Sequence, residues 1–109
     1  MKLVDLSLII ACYNEEQLLS KSVARITSVL KDSVFSYEFI FVDDKSHDRT
    51  REIIASLVKK NRNFRAIYHD VNQGRGKTVR DGIAIACGNV VGFIDIDLEV
   101  SPVYIPSFV

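Results

Sequence analysis

Val90-Val91-Gly92-Phe93-Ile94-Asp95-Ile96-Asp97-Leu98-Glu99 is the stretch on which the reading of this chain turns. Its first half is an apolar run of strand length. Its second half alternates carboxylates at a spacing of two. A strand buried on both faces reads as such a run, and side chains two apart leave a strand on the same side. Asp95 and Asp97 therefore share one side of a strand tip, with Glu99 two further on, and several oxygens aimed out of one tip suit a hard divalent cation. The plainer reading is a solvated strand end or a capping carboxylate. A second acidic tip, Asp43-Asp44, closes another apolar run, Glu38 to Val42, and makes the first harder to dismiss.

Working outward, apolar runs alternate with helical periodicities. Leu6 to Ala11 is expected to be a strand. Asn14 to Lys31 is expected to be a helix, with Leu18, Leu19, Val23, Ile26 and Leu30 on one stripe, Asn14 as cap and Gln17 completing a capping-box-like start. Glu38 to Val42 is a second strand, and Asp48 to Lys60 a helix with Ile53, Ile54, Leu57 and Val58 inward. Phe64 to Tyr68 is a third strand. Lys77 to Cys87 is a third helix closed by Gly88, and Val90 to Ile94 is a fourth strand. Such a β-α-β-α-β-α-β order implies a three-layer α/β/α, Rossmann-like and mostly parallel sheet. Ligands of these sheets sit beyond the carboxyl ends of the strands, where strand order reverses. That edge would gather Ala11 to Glu15, Asp43-Asp44, His69-Asp70 and Asp95 to Asp97. Ser101-Pro102 suits a helix start. A parallel sheet stopping just past its fourth strand suggests part of a larger domain, whose open edge would favour self-association.

Composition narrows the classes. The 109 residues are 48% hydrophobic and 26% charged, which fits one globular domain. Fourteen basic and fourteen acidic side chains cancel, which argues against a general nucleic-acid or membrane-surface binder. The longest apolar stretches, Leu8 to Cys12 and Ile83 to Cys87, are too short to span a bilayer, and Met1 to Asp5 lacks the pattern of a secretory signal. Cys12 and Cys87 have apolar neighbours and no metal-ligand spacing, so two reduced thiols are expected, as in the cytosol or at the cytosolic face of a membrane.

Three motif stretches belong together: Ala11-Cys12-Tyr13-Asn14-Glu15; Val42-Asp43-Asp44-Lys45-Ser46-His47-Asp48-Arg49-Thr50; and Asn72-Gln73-Gly74-Arg75-Gly76 running on to Asp95-Ile96-Asp97-Leu98-Glu99. In order and spacing they resemble the family-2 inverting glycosyltransferases of GT-A type, whose nucleotide-binding half carries A-x-Y-N-E, V-D-D-x-S-x-D-x-T, N-x-G-x-G and D-x-D. The D-x-D-L-E form is most similar to the polyprenyl- and dolichyl-phosphate sugar transferases. The resemblance covers nearly the whole chain. It implies binding of a UDP- or GDP-sugar, with transfer of the sugar to a lipid-phosphate or glycan acceptor.

On this resemblance, backbone groups at Ala11 and Tyr13 line the base, Glu15 meets the ribose, Asp43 accepts hydrogen bonds from base or ribose, and Asp95 meets the nucleotide. Asp97 and Glu99 would hold Mg²⁺ or Mn²⁺, and the turn into the third helix would bring Arg75 or Lys77 near the diphosphate. The acceptor-side groups of the family follow the D-x-D segment, so only the donor-binding part is expected in these 109 residues.

Rival readings are weaker. Gly76-Lys77-Thr78 is not a P-loop, because Val71 stands where that motif needs its first glycine. Thr78 also stands where the family usually has alanine. A nucleotidyltransferase would need a Gly-rich, arginine-containing turn after the first strand. A phosphoacceptor receiver domain would carry its acidic pair after the first strand, whereas Asp43-Asp44 follows the second. A non-catalytic α/β binding module is a further alternative. Asp44 and Asp48 have structural explanations in turn formation and helix capping. His47 and His69 read as surface or polar-capping residues, and scattered cysteine and histidine argue against zinc.

Overall fold

The structure, a computed structural model, describes residues 4–96. Within them run β1 (Val4–Cys12), α1 (Leu19–Leu30), β2 (Tyr37–Asp43), α2 (Thr50–Lys60), β3 (Phe64–Tyr68), α3 (Arg75–Ile85) and β4 (Gly88–Asp95). All pairings are parallel and the strand order is β3-β2-β1-β4. The chain thus steps outward from β1 to β3 and then returns to the other side of β1. The switch point lies between the carboxyl ends of β1 and β4, where Ala11 pairs with Asp95. The α/β class and parallel topology expected from the alternation are those observed.

Strand alternation sorts the core into two layers. Leu6, Leu8, Ile10 and Cys12 of β1 join Phe39, Phe41, Phe64 and Ile94 in one cluster with Leu19, Val23, Ile26 and Leu30 of α1 and Ile54 of α2. Phe39 stacks on Phe64 with ring centroids 4.7 Å apart. On the opposite face, Ile9, Ile40 and Val42 pack with Ile67, Ile85 and Ala86. Here α3 comes close to the sheet at Gly82, where an added Cβ would sit 2.6 Å from Ile9 Cγ2.

Several expectations are corrected. The first helix begins at Leu19, not Asn14. Asn14 has φ of 53°, which no ordinary N-cap adopts, and its Oδ1 accepts from the His47 amide. Leu18 is consequently 44% exposed, and Ser22 takes its place on the buried stripe. The third helix ends at Ile85 with Ala86 as its extended C-cap, and Gly88 opens β4 instead of closing a helix. The possible helix at Ser101-Pro102 lies outside the described residues, as do Asp97 and Glu99. Among the described residues no helix is long and apolar enough to cross a membrane.

Candidate functional site: a cleft at the strand switch point

A cleft of about 370 Å³ opens at the carboxyl edge of β1. Its walls are Ala11, Cys12, Tyr13 and Glu15 after β1, Asp44 after β2, Asn72 and Gly74 of the turn before α3, and Arg75 and Thr78 of α3 itself. That size and placement match a small-molecule site of a doubly wound sheet.

The loop after β1 is shaped by the loop after β2. Asn14 N donates to Ser46 Oγ at 2.9 Å, Glu15 N to Thr50 Oγ1 at 2.8 Å, and Glu16 N to Asp48 Oδ2 at 3.2 Å. Asp48 also accepts from Thr50 N at 2.9 Å, so it organises the entry to α2 as its turn position implied. This lattice leaves Tyr13 44% exposed at the cleft mouth, with His47 edge-on to its ring at 6.5 Å.

On the far wall, the turn before α3 hangs on Asp44. Gln73 N donates to its Oδ1 at 2.7 Å and Gly74 N to its Oδ2 at 2.9 Å, while Asn72 Nδ2 reaches its carbonyl at 3.1 Å. Gly74 has φ of 89°, a conformation open to glycine and costly to other residues. Its carbonyl accepts from Thr78 Oγ1 at 2.7 Å, which gives Thr78 a use that alanine would lack. Burial would raise the Asp44 pKa, but hydrogen bonds from His69, Gln73 and Gly74 outweigh it and hold the carboxyl below its ordinary range. Arg75, the first residue of α3, places its guanidinium 5.1 Å from the Phe93 ring centroid.

Of the residues expected to bind nucleotide, Ala11, Tyr13, Glu15 and Arg75 are brought together on the cleft. Asp95 pairs through its backbone with Ala11 at the cleft edge. Asp43, expected to accept from base or ribose, is fully buried at the end of β2 and is not among the residues lining the cleft. Its carboxylate accepts from Ser46 N at 3.0 Å, Ser46 Oγ at 2.5 Å and Arg51 Nε at 2.6 Å, so the tip of β2 presents Asp44 to the cleft instead. His69 is likewise buried, not a surface residue.

Sequence reasoning missed the cleft roles of Asp44, Asn72 and Thr78, although Asp44 and Asn72 stood inside motifs already singled out. It missed Arg51 altogether, because nothing local to α2 marks a partner eight residues back. Cys12 and Cys87 are unbridged. Burial, with the charges of Asp43 and Glu15 adding to it, pushes the Cys12 thiol far up, which makes it an inert wall residue. No group of three or more metal-ligating side chains occurs among the described residues.

Comparison with known proteins fits this geometry. The glycosyl transferase family 2 profile matches residues 7–109. The chain belongs to glycosyl transferase family 2. It is 32% identical over 99 residues to a dolichyl-phosphate beta-glucosyltransferase of Trichomonas vaginalis, covering 86% of this chain and 31% of that protein. It is 31% identical over 104 residues to an undecaprenyl-phosphate 4-deoxy-4-formamido-L-arabinose transferase of Pseudomonas fluorescens, covering 94% and 30%. The chain thus spans about three-tenths of the length of these curated relatives.

Among solved structures, S. aureus TarS in complex with UDP-GlcNAc superposes with a TM-score of 0.71 at 28% identity, over 85% of this chain and 26% of that one. A mannosyltransferase from Pyrobaculum calidifontis, in complex with GDP-Man and Mn²⁺, shares the fold with a TM-score of 0.73 at 18% identity, over 89% and 28%. The GT-A architecture anticipated from the motifs is the one these neighbours share. Membership of this family sets the receiver-domain reading aside.

Proposed function

We propose that this chain forms the donor-binding part of a metal-assisted, inverting glycosyltransferase. That enzyme would move a sugar from a nucleotide-diphosphate sugar to a polyprenyl or dolichyl phosphate. The observation that carries the reading is the cleft at the strand switch point, which Tyr13, Glu15 and Arg75 line together with Ala11 and Asp44. Further support comes from the two lipid-phosphate transferases among its relatives.

On this reading the exposed Tyr13 ring offers the base a stacking face, the Ala11–Tyr13 backbone lines it, and Glu15 takes a ribose hydroxyl. Arg75 stands on the phosphate side, at the amino end of α3, where the helix dipole also favours an anion. The candidate metal ligands Asp97 and Glu99 follow β4 by two and four residues, and their carboxylate chemistry suits Mg²⁺ or Mn²⁺. A bound dication would neutralise charge on the departing nucleoside diphosphate. The acceptor oxygen attacks the anomeric carbon from the face opposite the nucleotide. A lipid phosphate is already ionised at neutral pH, so it needs little help from a base. Acceptor groups come from outside this stretch, and these 109 residues alone are expected to bind donor weakly and turn over little. Two unbridged thiols and a lipid-phosphate acceptor together suit the cytosolic face of a membrane.

The test is calorimetric titration with UDP and with GDP, with and without Mn²⁺, on the native chain and on Asp97→Ala. Metal-dependent binding of one nucleotide, lost in the variant, is expected and names the base. Absence of binding under every condition, or binding indifferent to both metal and variant, would refute the donor role.

A further inference from the structure

We infer that His69 is a positioning residue, holding the Asn72–Arg75 turn in place on the donor cleft by clamping Asp44 and Asp81 together. The role of the turn in donor binding rests on the function proposed above; the clamp itself does not.

His69 follows β3 directly and is 5% exposed. Its Nδ1 lies 2.8 Å from Asp44 Oδ1 and its Nε2 2.7 Å from Asp81 Oδ2. Ionised carboxylates only accept, so an imidazole bonded to one at each nitrogen must donate twice, which only the protonated ring can do. The neutral ring would aim a lone pair at one of the two carboxylates. The clamp therefore works as imidazolium, and it joins three elements. Asp44 stands on the tip of β2 and holds the amides of Gln73 and Gly74. Asp81 belongs to α3, about 1.7 turns beyond the cleft residue Arg75. His69 thus fixes the same Asp44 carboxylate on which the turn is built, and ties the helix behind that turn to the sheet edge.

Other charges facing the ring make the pattern consistent. From α3, Lys77 Nζ lies 2.8 Å from Asp81 Oδ1. From α2, Arg51 Nη2 donates to the His69 carbonyl, and its Nε pairs with Asp43 of β2. The chain neighbours are Tyr68 and Asp70. Burial by itself would lower the His69 pKa, but the bonds and charges of Asp44 and Asp81 outweigh it and raise it above the ordinary imidazole value. A raised pKa means the clamp is closed below about pH 6.5 and released as pH climbs through the folded value.

The experiment uses the 109-residue chain, His69→Gln and Asp81→Asn, with two readouts. Amide exchange at about pH 6, where the native clamp is closed, reports the turn without any ligand. Protection of Gln73 and Gly74 should fall about tenfold in His69→Gln, the size of a lost charge-assisted hydrogen bond, while α1 amides keep theirs. Titration of the nucleotide that binds, at one fixed saturating Mn²⁺ concentration, should give a dissociation constant that rises several-fold with pH in the native chain. His69→Gln should sit at the weak level throughout, and Asp81→Asn should move the native transition to lower pH. Unchanged Gln73 and Gly74 protection in His69→Gln overturns the clamp, as does an unmoved transition in Asp81→Asn, the variant that decides the matter if His69→Gln does not fold. Lost protection with no nucleotide binding in any chain supports the clamp and removes the donor reading instead.

Discussion

Gly88→Ala should destabilise this domain far more than its position after a helix suggests. Gly88 opens β4 and pairs with Val4 of β1. A Cβ added there would lie 2.4 Å from Ser7 N and 2.8 Å from both Leu6 C and Ser7 Oγ. Ordinary contact begins at 3.4 Å, so the strands must part by about 1 Å (3.4 − 2.4), and the nearest obstacle is backbone with no rotamer to yield. Overpacking of this kind costs roughly 1–3 kcal/mol. Displacing Ser7 also strains the 2.7 Å bond from Gly88 N to its Oγ and the 2.5 Å bond from that Oγ to Glu38 Oε2. Each such bond is worth about 1 kcal/mol net.

The sum is about 3–5 kcal/mol, a large share of the 5–15 kcal/mol typical of a domain and more than about 10 °C in Tm. Urea unfolding followed by circular dichroism measures it, with Gly88→Asn as the control. Asparagine tolerates the left-handed conformation of a helix terminus, so it would restore stability if Gly88 were a cap. In a strand contact it does no better than alanine. A loss below about 1 kcal/mol, or rescue by asparagine, would refute the close β1–β4 approach that pairs Asp95 with Ala11.

Two further outcomes follow from buried charge. Arg51→Met removes the 2.6 Å partner of the fully buried Asp43 and should cost about 3 kcal/mol by chemical denaturation at neutral pH, since an uncompensated carboxylate then remains inside. For Glu38, burial works to raise the pKa, but Ser7, the Cys87 amide and Arg65 together lower it. Asp44 is lowered in the same sense. Depressed carboxylates contribute stability that is present above their unfolded values near pH 4 and lost as pH falls through the folded ones, so urea midpoints should drop steeply below about pH 4 and less steeply in Asp44→Asn.

Much of the fold was legible because burial writes itself into periodicity. The apolar runs at Leu6, Glu38, Phe64 and Val90 all became parallel strands, and the motif-bearing loops at Ala11–Glu15 and Asn72–Arg75 meet at one edge. Boundaries failed where local chemistry had two uses. Asn14 looked like a cap because asparagine caps well, yet its side chain serves the loop after β2. Gly88 looked like a helix stop because glycine ends helices, yet here it lets two strands meet.

By itself the sequence determined the α/β/α class, the strand count within the described residues, the family and the edge on which a ligand would sit. These follow from patterns a few residues long, since strand and helix periods and turn chemistry are local. Only the tertiary structure decided which of two adjacent aspartates faces the cleft and which is buried against Arg51. It alone placed His69 between Asp44 and Asp81, residues 25 and 12 positions away. Such pairings depend on how separate elements cross in space, and a charge carries no mark of the distant charge that will neutralise it.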